Sequence, residues 1–261
     1  FLAHMLKVRR GDKRLTDIIP TIQANQNAII TRPADENSVV VGCAGCGKTM
    51  ILLQRLEYLS FNRKLDLGRA LVIAPSKKYI DHIKPVVADL MIGAARRLTM
   101  PELYRELILS LRGIKASARR ALNGEVTGDE ALSKATVTAC YGDALKRKLL
   151  AALKPTKQAY LSRYAAYREQ MTAYENASTM SWLSGVSPSA EKPKAPVVAI
   201  DLDKFAFVPK LPQLTKARLY LLLTAYCYVL GKPDFNSALF IDEGQEYYLN
   251  DYGPETHLNC M

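Results

Sequence analysis

The run Gly42-Cys43-Ala44-Gly45-Cys46-Gly47-Lys48-Thr49 constrains this chain more than any other stretch. It follows Ser38-Val39-Val40-Val41 and precedes a helical pattern running from Met50 to Leu59. Strand, Gly-rich turn, Lys-Thr and helix is the context that makes GxxxxGK[ST] a phosphate-binding loop. Glycines let backbone N–H groups curl round a phosphate where a Cβ would crowd it. The helix that begins there aims its unpaired N–H groups and positive dipole end at the same anion. In such a loop Lys48 reaches the β- and γ-phosphates, and the Thr49 hydroxyl holds Mg²⁺. The bare pattern arises by chance in roughly one chain in a hundred of this length. The competing reading is a Gly-rich turn carrying an exposed lysine.

The chain has 261 residues, enough for one large domain or two smaller ones with a real core. Its apolar runs are short, and none approaches the ~20 residues of a membrane span. The basic N-terminal stretch Lys7 to Arg14 does not read as a secretory leader. Five cysteines, scattered along the chain, argue for a reducing compartment over a disulfide framework. Cys43 and Cys46 form a CxxC, but both lie inside the glycine loop and no second CxxC exists. They read as small loop-lining residues, not as a redox or zinc pair.

The net charge of +11 favours a polyanionic partner. Most of it sits between Arg96 and Tyr174, where 15 Lys and Arg face 7 Asp and Glu. Within that block, Tyr160, Tyr164, Tyr167, Met171 and Tyr174 recur at helical spacing and share one face. Arg163 and Arg168 flank it. Such a stripe is either a base-stacking, phosphate-contacting surface or a Tyr-rich packing seam with solvated arginines beside it.

Along the chain, Ile22, Ile29 and Ile30 predict a helix ending by Arg32, before Pro33. Ala70 to Ala74 reads as a buried strand ended by Pro75, and Tyr79 to Leu90 as a helix that Pro85 kinks or splits. Alternating strands and helices with short connections imply a parallel βαβ arrangement. From about Leu98 strand signals fade. Met100 to Leu111, Ser117 to Leu122, Asp129 to Leu153 and Lys157 to Tyr174 all predict helices. Gly185 to Pro196 reads as a Pro/Ser/Lys linker, followed by candidate short strands Val197 to Ile200 and Phe205 to Val208. Thr215 caps a predicted helix through Leu230 that ends at Gly231.

Ala238 to Ile241 predicts another buried strand, ending in Asp242-Glu243-Gly244-Gln245-Glu246. Two carboxylates at the C-terminal edge of a parallel sheet lie beside a phosphate loop. Asp242 is placed to hold Mg²⁺, mainly through water, and Glu243 to orient and deprotonate an attacking water.

The segments IQANQNAII, GCAGCGKT, LVIAPS and FIDEGQEYY, in this order, resemble superfamily 1 helicases of the UvrD/Rep class. Within that class the resemblance is to the HelD-like branch, helicase-like ATPases that release RNA polymerase from stalled complexes. It covers about the first 90 and last 45 residues; the middle matches only in position and length.

The resemblance implies an α/β fold: a RecA-like P-loop NTPase parallel sheet flanked by helices, with a mostly helical inserted subdomain. The expected division is a motor domain in two segments, 1–98 and 213–261, around a basic insertion at 99–212. The implied ligands are ATP and Mg²⁺. In this family Gln26 matches the glutamine that reads the adenine edge, with Gln23 a nearby competitor. The loop residues Gly42 to Thr49 cradle the nucleotide. Ala74, Pro75 and Ser76 match the segment that meets single-stranded nucleic acid. Lys48, Glu243 and Gln245 are the implied catalytic residues, Gln245 sensing the γ-phosphate.

Three positions depart from the family pattern: Cys46 where Thr or Ser is usual, Gly244 where Ala or Phe is commoner, and Glu246 where Asp is usual. The family's next motif, GDxxQ, and its second RecA-like domain with arginine fingers are not found. That implies a piece of a longer protein with low ATPase activity alone. The implied partners are RNA polymerase and/or single-stranded DNA, together with that second domain. The implied setting is cytoplasmic and nucleoid-associated, away from membranes. Besides the transcription-remodelling ATPase, two readings stay open: a 3′–5′ DNA-translocating helicase and a non-catalytic, nucleotide-gated interaction module.

Overall fold

A computed structural model of the chain describes residues 24–43, 45–184, 191–233 and 238–244. It is a mixed α/β protein that divides into two compact units. Among the described residues, one comprises those from Ala24 to Met100 together with 238–244, and the other comprises those from Pro101 to Pro233. No helix among the described residues is long and apolar enough to cross a membrane.

The first unit contains helix α1 (Ala24–Ile30), helix α2 (Lys48–Arg63), strand β1 (Ala70–Ala74), helix α3 (Lys77–Asp89), strand β2 (Arg96–Thr99) and, far along the chain, strand β3 (Ala238–Ile241). The sheet is parallel in the order β2-β1-β3. Leu71 pairs with Arg96 on one side and with Leu239 on the other. As the central strand, β1 is apolar throughout and buried at every position, as expected of a strand covered on both faces. Leu53 and Leu56 of α2, Ile83 and Val87 of α3, and Val72 of β1 close one core, with Phe240 packed against it.

All three strands point the same way, so the residues after Ala74 and Ile241 emerge at one edge of the sheet. At that edge Ser76 caps α3, its hydroxyl accepting from Tyr79 N at 3.2 Å. Pro85 is accommodated inside α3 without ending it.

Around this sheet one expected strand does not form and one unexpected strand does. Residues 38–41 form no strand. The edges of β1 are already taken by β2 and β3, and Val39 and Val41 stand 89% and 90% exposed. A strand needs a ladder partner to be stable, and none is supplied among the described residues. Conversely, Arg96–Thr99 is a strand that its sequence hid: RRLT has no apolar run, because only Thr99 of the four is fully buried.

The second unit is mostly helical: α4 (Met100–Ser110), α5 (Ala116–Arg120), α6 (Lys134–Tyr141), α7 (Asp143–Ser184) and α8 (Lys216–Leu230). Helices α6, α7 and α8 pack on one another. From Lys216 to Tyr226 every residue of α8 is buried, the pattern of a central helix. This explains why α8 belongs with this unit and not with the sheet. Asp129 ties it in, accepting from Ala217 N at 2.8 Å through one carboxylate oxygen and from the Tyr141 hydroxyl at 2.9 Å through the other.

Buried Arg218 forms a two-pronged ion pair with Asp203, both contacts 2.8 Å. That pair holds Asp203 below the usual carboxylate range. The two helices expected on either side of Pro155 are one, because Leu149, Leu153 and Tyr160 are all buried along it. Their burial outweighs the roughly 3 kcal/mol that an interior proline costs. Val198 forms an isolated bridge with Ile114, and 205–208 is a turn, so neither expected short strand forms there.

Candidate functional site

The glycine loop reaches α2 through two left-handed residues, Gly45 at φ 77° and Gly47 at φ 85°. Both conformations favour glycine. Gly47 caps α2 with no side chain satisfying the first turn, so the helix begins with its amide N–H groups directed at the loop. The loop is tight elsewhere too. A Cβ on Gly42 would meet the Cys46 sulfur at 2.6 Å. Cys46 N donates to Cys43 O at 3.4 Å, closing the turn. Both cysteines are free thiols.

Lys48 folds back over this turn. Its ammonium donates to the carbonyls of Gly42 at 3.2 Å and Cys43 at 2.9 Å. Gln26 of α1 donates from Nε2 to the Cys46 carbonyl at 3.2 Å, so the glutamine singled out in sequence does stand against the loop. Arg55 of α2 fixes α1 there. Its guanidinium reaches the carbonyls of Ile29, Ile30, Arg32 and Pro33 at 2.9–3.3 Å. Burial, with Arg32 nearby, lowers the Arg55 pKa from its ordinary value.

The acidic pair sits where β3 ends. Asp242 is 5% exposed, its backbone N–H donating to Ile73 O at 2.9 Å. One carboxylate oxygen accepts from Glu243 N at 3.0 Å. The other accepts from the Tyr79 hydroxyl at 2.7 Å. That same hydroxyl lies 2.7 Å from the Thr49 hydroxyl. Thr49, Tyr79 and Asp242 therefore form one relay joining the start of α2, the first turn of α3 and the end of β3.

Desolvation, reinforced by the Asp242 carboxylate, pushes the Tyr79 pKa up to about 12, against the opposing Thr49 hydrogen bond. Glu243 adopts a left-handed backbone, φ 50°. That is uncommon for a residue with a Cβ, and such outliers concentrate at functional sites.

A pocket of about 360 Å³ opens between these groups, lined by Gly45, Lys48, Thr49, Tyr79, His82 and Glu243 among others. Its size lies within the range of small-ligand sites, about 300–1,000 Å³. The donor set suits a hard cation: a hydroxyl and two carboxylates around space for phosphate oxygens. No cluster of three or more His, Cys, Asp or Glu forms a self-sufficient metal site among the described residues. A cation here would share its shell with a bound phosphate, as Mg²⁺ ordinarily does.

Ala74, expected to meet nucleic acid, is fully buried at the end of β1; Pro75 and Ser76, next in the chain, are the part of that segment with exposed side-chain surface. Arg163 and Arg168 lie on the exposed half of α7, in the other unit. There Tyr160 stacks on Tyr164 with ring centroids 6.0 Å apart, and Tyr164 meets Tyr167 at 6.0 Å. Gln23, Ala44, Gln245 and Glu246 lie outside the described residues. Tyr79 and His82 join the site without having stood out in the sequence. Their signal is positional: Tyr79 in the first turn and His82 in the second turn of the helix after a strand-ending Pro-Ser line the same pocket as Glu243.

No protein-family model, no curated protein and no solved structure matches this chain.

Proposed function

We propose that this chain binds ATP with Mg²⁺ and hydrolyses it, as the motor portion of a superfamily 1 helicase-like ATPase that remodels or releases transcription complexes. One observation carries the nucleotide reading: Thr49, from the phosphate loop, and Asp242, from the distant acidic strand end, converge on a single hydroxyl, each at 2.7 Å. A Gly-rich turn with an incidental lysine gives no reason for that convergence.

In this reading the triphosphate enters the pocket beside Lys48, and the ammonium exchanges the Gly42 and Cys43 carbonyls for β- and γ-phosphate oxygens. Thr49 and Asp242 would hold Mg²⁺, which supplies charge neutralisation on those oxygens when bound. Glu243 takes a proton from water as the water oxygen attacks the γ-phosphorus. The bond to the β,γ-bridging oxygen breaks, and ADP and phosphate leave. Gln26, held by Arg55 on the loop's flank, is the candidate for reading adenine.

The polymerase partner rests on the resemblance alone. A DNA-translocating role has its own support in the basic second unit, where Tyr160, Tyr164 and Tyr167 form a row of rings beside Arg163 and Arg168. Fluorescence anisotropy with labelled single-stranded DNA across a salt series separates the two. Phosphate contacts give a log–log slope of about −0.7 per contact. A flat response, together with co-purification on RNA polymerase, favours the remodelling role. The nucleotide reading itself is tested by direct ATP titration of the wild-type chain and Lys48→Ala.

A further inference from the structure

We propose that the Tyr79 hydroxyl is a placeholder for the divalent cation: it bridges Thr49 and Asp242 and must withdraw when a cation–nucleotide pair enters. The inference rests on the nucleotide-site reading above and concerns how that site opens.

Thr49 and Asp242 are the two side chains whose oxygens a cation at this site would draw together. Asp242 is nearly buried, and a buried carboxylate without donors is costly. Tyr79 supplies the donor. Its single proton goes to Asp242 at 2.7 Å, which leaves its oxygen to accept from the Thr49 hydroxyl at 2.7 Å. The phenol oxygen thus fills the interval between the two groups.

Magnesium holds its oxygens at about 2.0–2.1 Å in a nearly ideal octahedron. A cation held by Thr49 and, through water, by Asp242 would compete with the Tyr79 hydroxyl for the interval between them. Lys48 shows the same self-satisfied state, its ammonium spent on the Gly42 and Cys43 carbonyls. Both the end of the site that would take phosphate and the end that would take the cation are therefore held by contacts among the protein's own groups. Ser76 sets the Tyr79 latch, because its hydroxyl accepts from the Tyr79 N–H and fixes the first turn of α3.

The test is binding of a fluorescent ADP analogue to the full chain, with Mg²⁺ titrated, for wild type and Tyr79→Phe. Phenylalanine keeps the ring and removes the bridge that the cation must break. The Mg²⁺ midpoint is expected to fall about tenfold, with analogue affinity in chelator unchanged. An unchanged or higher midpoint overturns the proposal; a higher one would mean that the hydroxyl supports the bound cation.

A second measurement covers the case of a poorly folded variant. A fluorotyrosine placed at position 79 alone should shift its ¹⁹F resonance when Mg²⁺ and ADP are added together, but not with ADP in chelator. A resonance unmoved at saturation sinks the latch while leaving the nucleotide site standing. Failure of the wild-type chain to bind the analogue at all sinks both.

Discussion

Gln26 donates its side-chain amide to the backbone carbonyl of Cys46 at 3.2 Å, so the helix before the glycine loop is anchored to the middle of the loop itself. Behind that contact stands Arg55, which gathers four carbonyls at the end of the same helix. Helix α1 has only seven residues, too few to be stable without packing. Its position depends on these two attachments.

Arg55→Met should therefore act at a distance from the phosphates. It removes the shared donor from those carbonyls and is expected to cost about 2 kcal/mol of stability. It should also release Gln26 from the loop. Denaturant unfolding reads the first effect. The second would appear as a reduced preference for ATP over GTP, with little change in the affinity for inorganic triphosphate.

Glu243, the proposed general base, carries backbone strain. Glu243→Gln is expected to leave ATP affinity little changed while slowing hydrolysis about 10²–10⁴-fold, the usual worth of a general base. Single-turnover phosphate release measures it. Glu243→Gly should lose hydrolysis equally yet be neutral to stabilising, by at most about 1 kcal/mol, because glycine adopts φ 50° without penalty. Equal turnover by either variant would remove Glu243 from the reaction.

In the helical unit, the Asp203–Arg218 pair makes acid stability predictable in sign. Asp203 is held below its ordinary pKa by Arg218, so its stabilising contribution is complete above the unfolded carboxylate value. It is lost as pH falls through the lower folded value. Asp203→Asn removes that dependence and leaves the Arg218 side chain, 7% exposed, without its carboxylate. The variant should be less stable near neutrality. The two proteins should converge as pH drops below about 4, as read by urea midpoints across a pH series.

The thiols offer a chemical map of the loop. Cys43 is exposed and Cys46 half-buried against Gly42, whereas Cys140 is buried, with its pKa pushed up to about 11 by desolvation. Iodoacetamide at neutral pH should modify Cys43 first, then Cys46, with Cys140 reacting only on unfolding. Prior ATP should slow the first two. Peptide mass mapping tracks the order, and alkylation of Cys46 should crowd the loop and weaken nucleotide binding.

The loop, the buried central strand β1 and the carboxylates after β3 were legible because each is local; β3 reads as buried in sequence but is a half-buried strand paired, among the described residues, only with β1. Left-handed turns demand glycine, a doubly covered strand is apolar throughout, and a strand end in a parallel sheet presents its next residues at the sheet edge. The misread elements depend on distant neighbours. Val39 and Val41 look like a strand but join no ladder among the described residues, while Arg96 and Arg97 look like surface yet complete one edge of β1. Pro155 reads as a break until Leu149, Leu153 and Tyr160 bury one continuous face. Tyr79 was invisible as a site residue because its role exists only once residues 163 positions apart are brought to one hydrogen bond.

The central claim is that the Gly42–Thr49 loop holds the phosphates of ATP, and calorimetric titration of the chain with ATP and Mg²⁺ tests it most directly. Wild type should bind one equivalent. Lys48→Ala should bind at least about tenfold more weakly, the loss of a charge-assisted contact, at an unchanged melting temperature. No binding by wild type, or equal binding by the two proteins, would contradict the account.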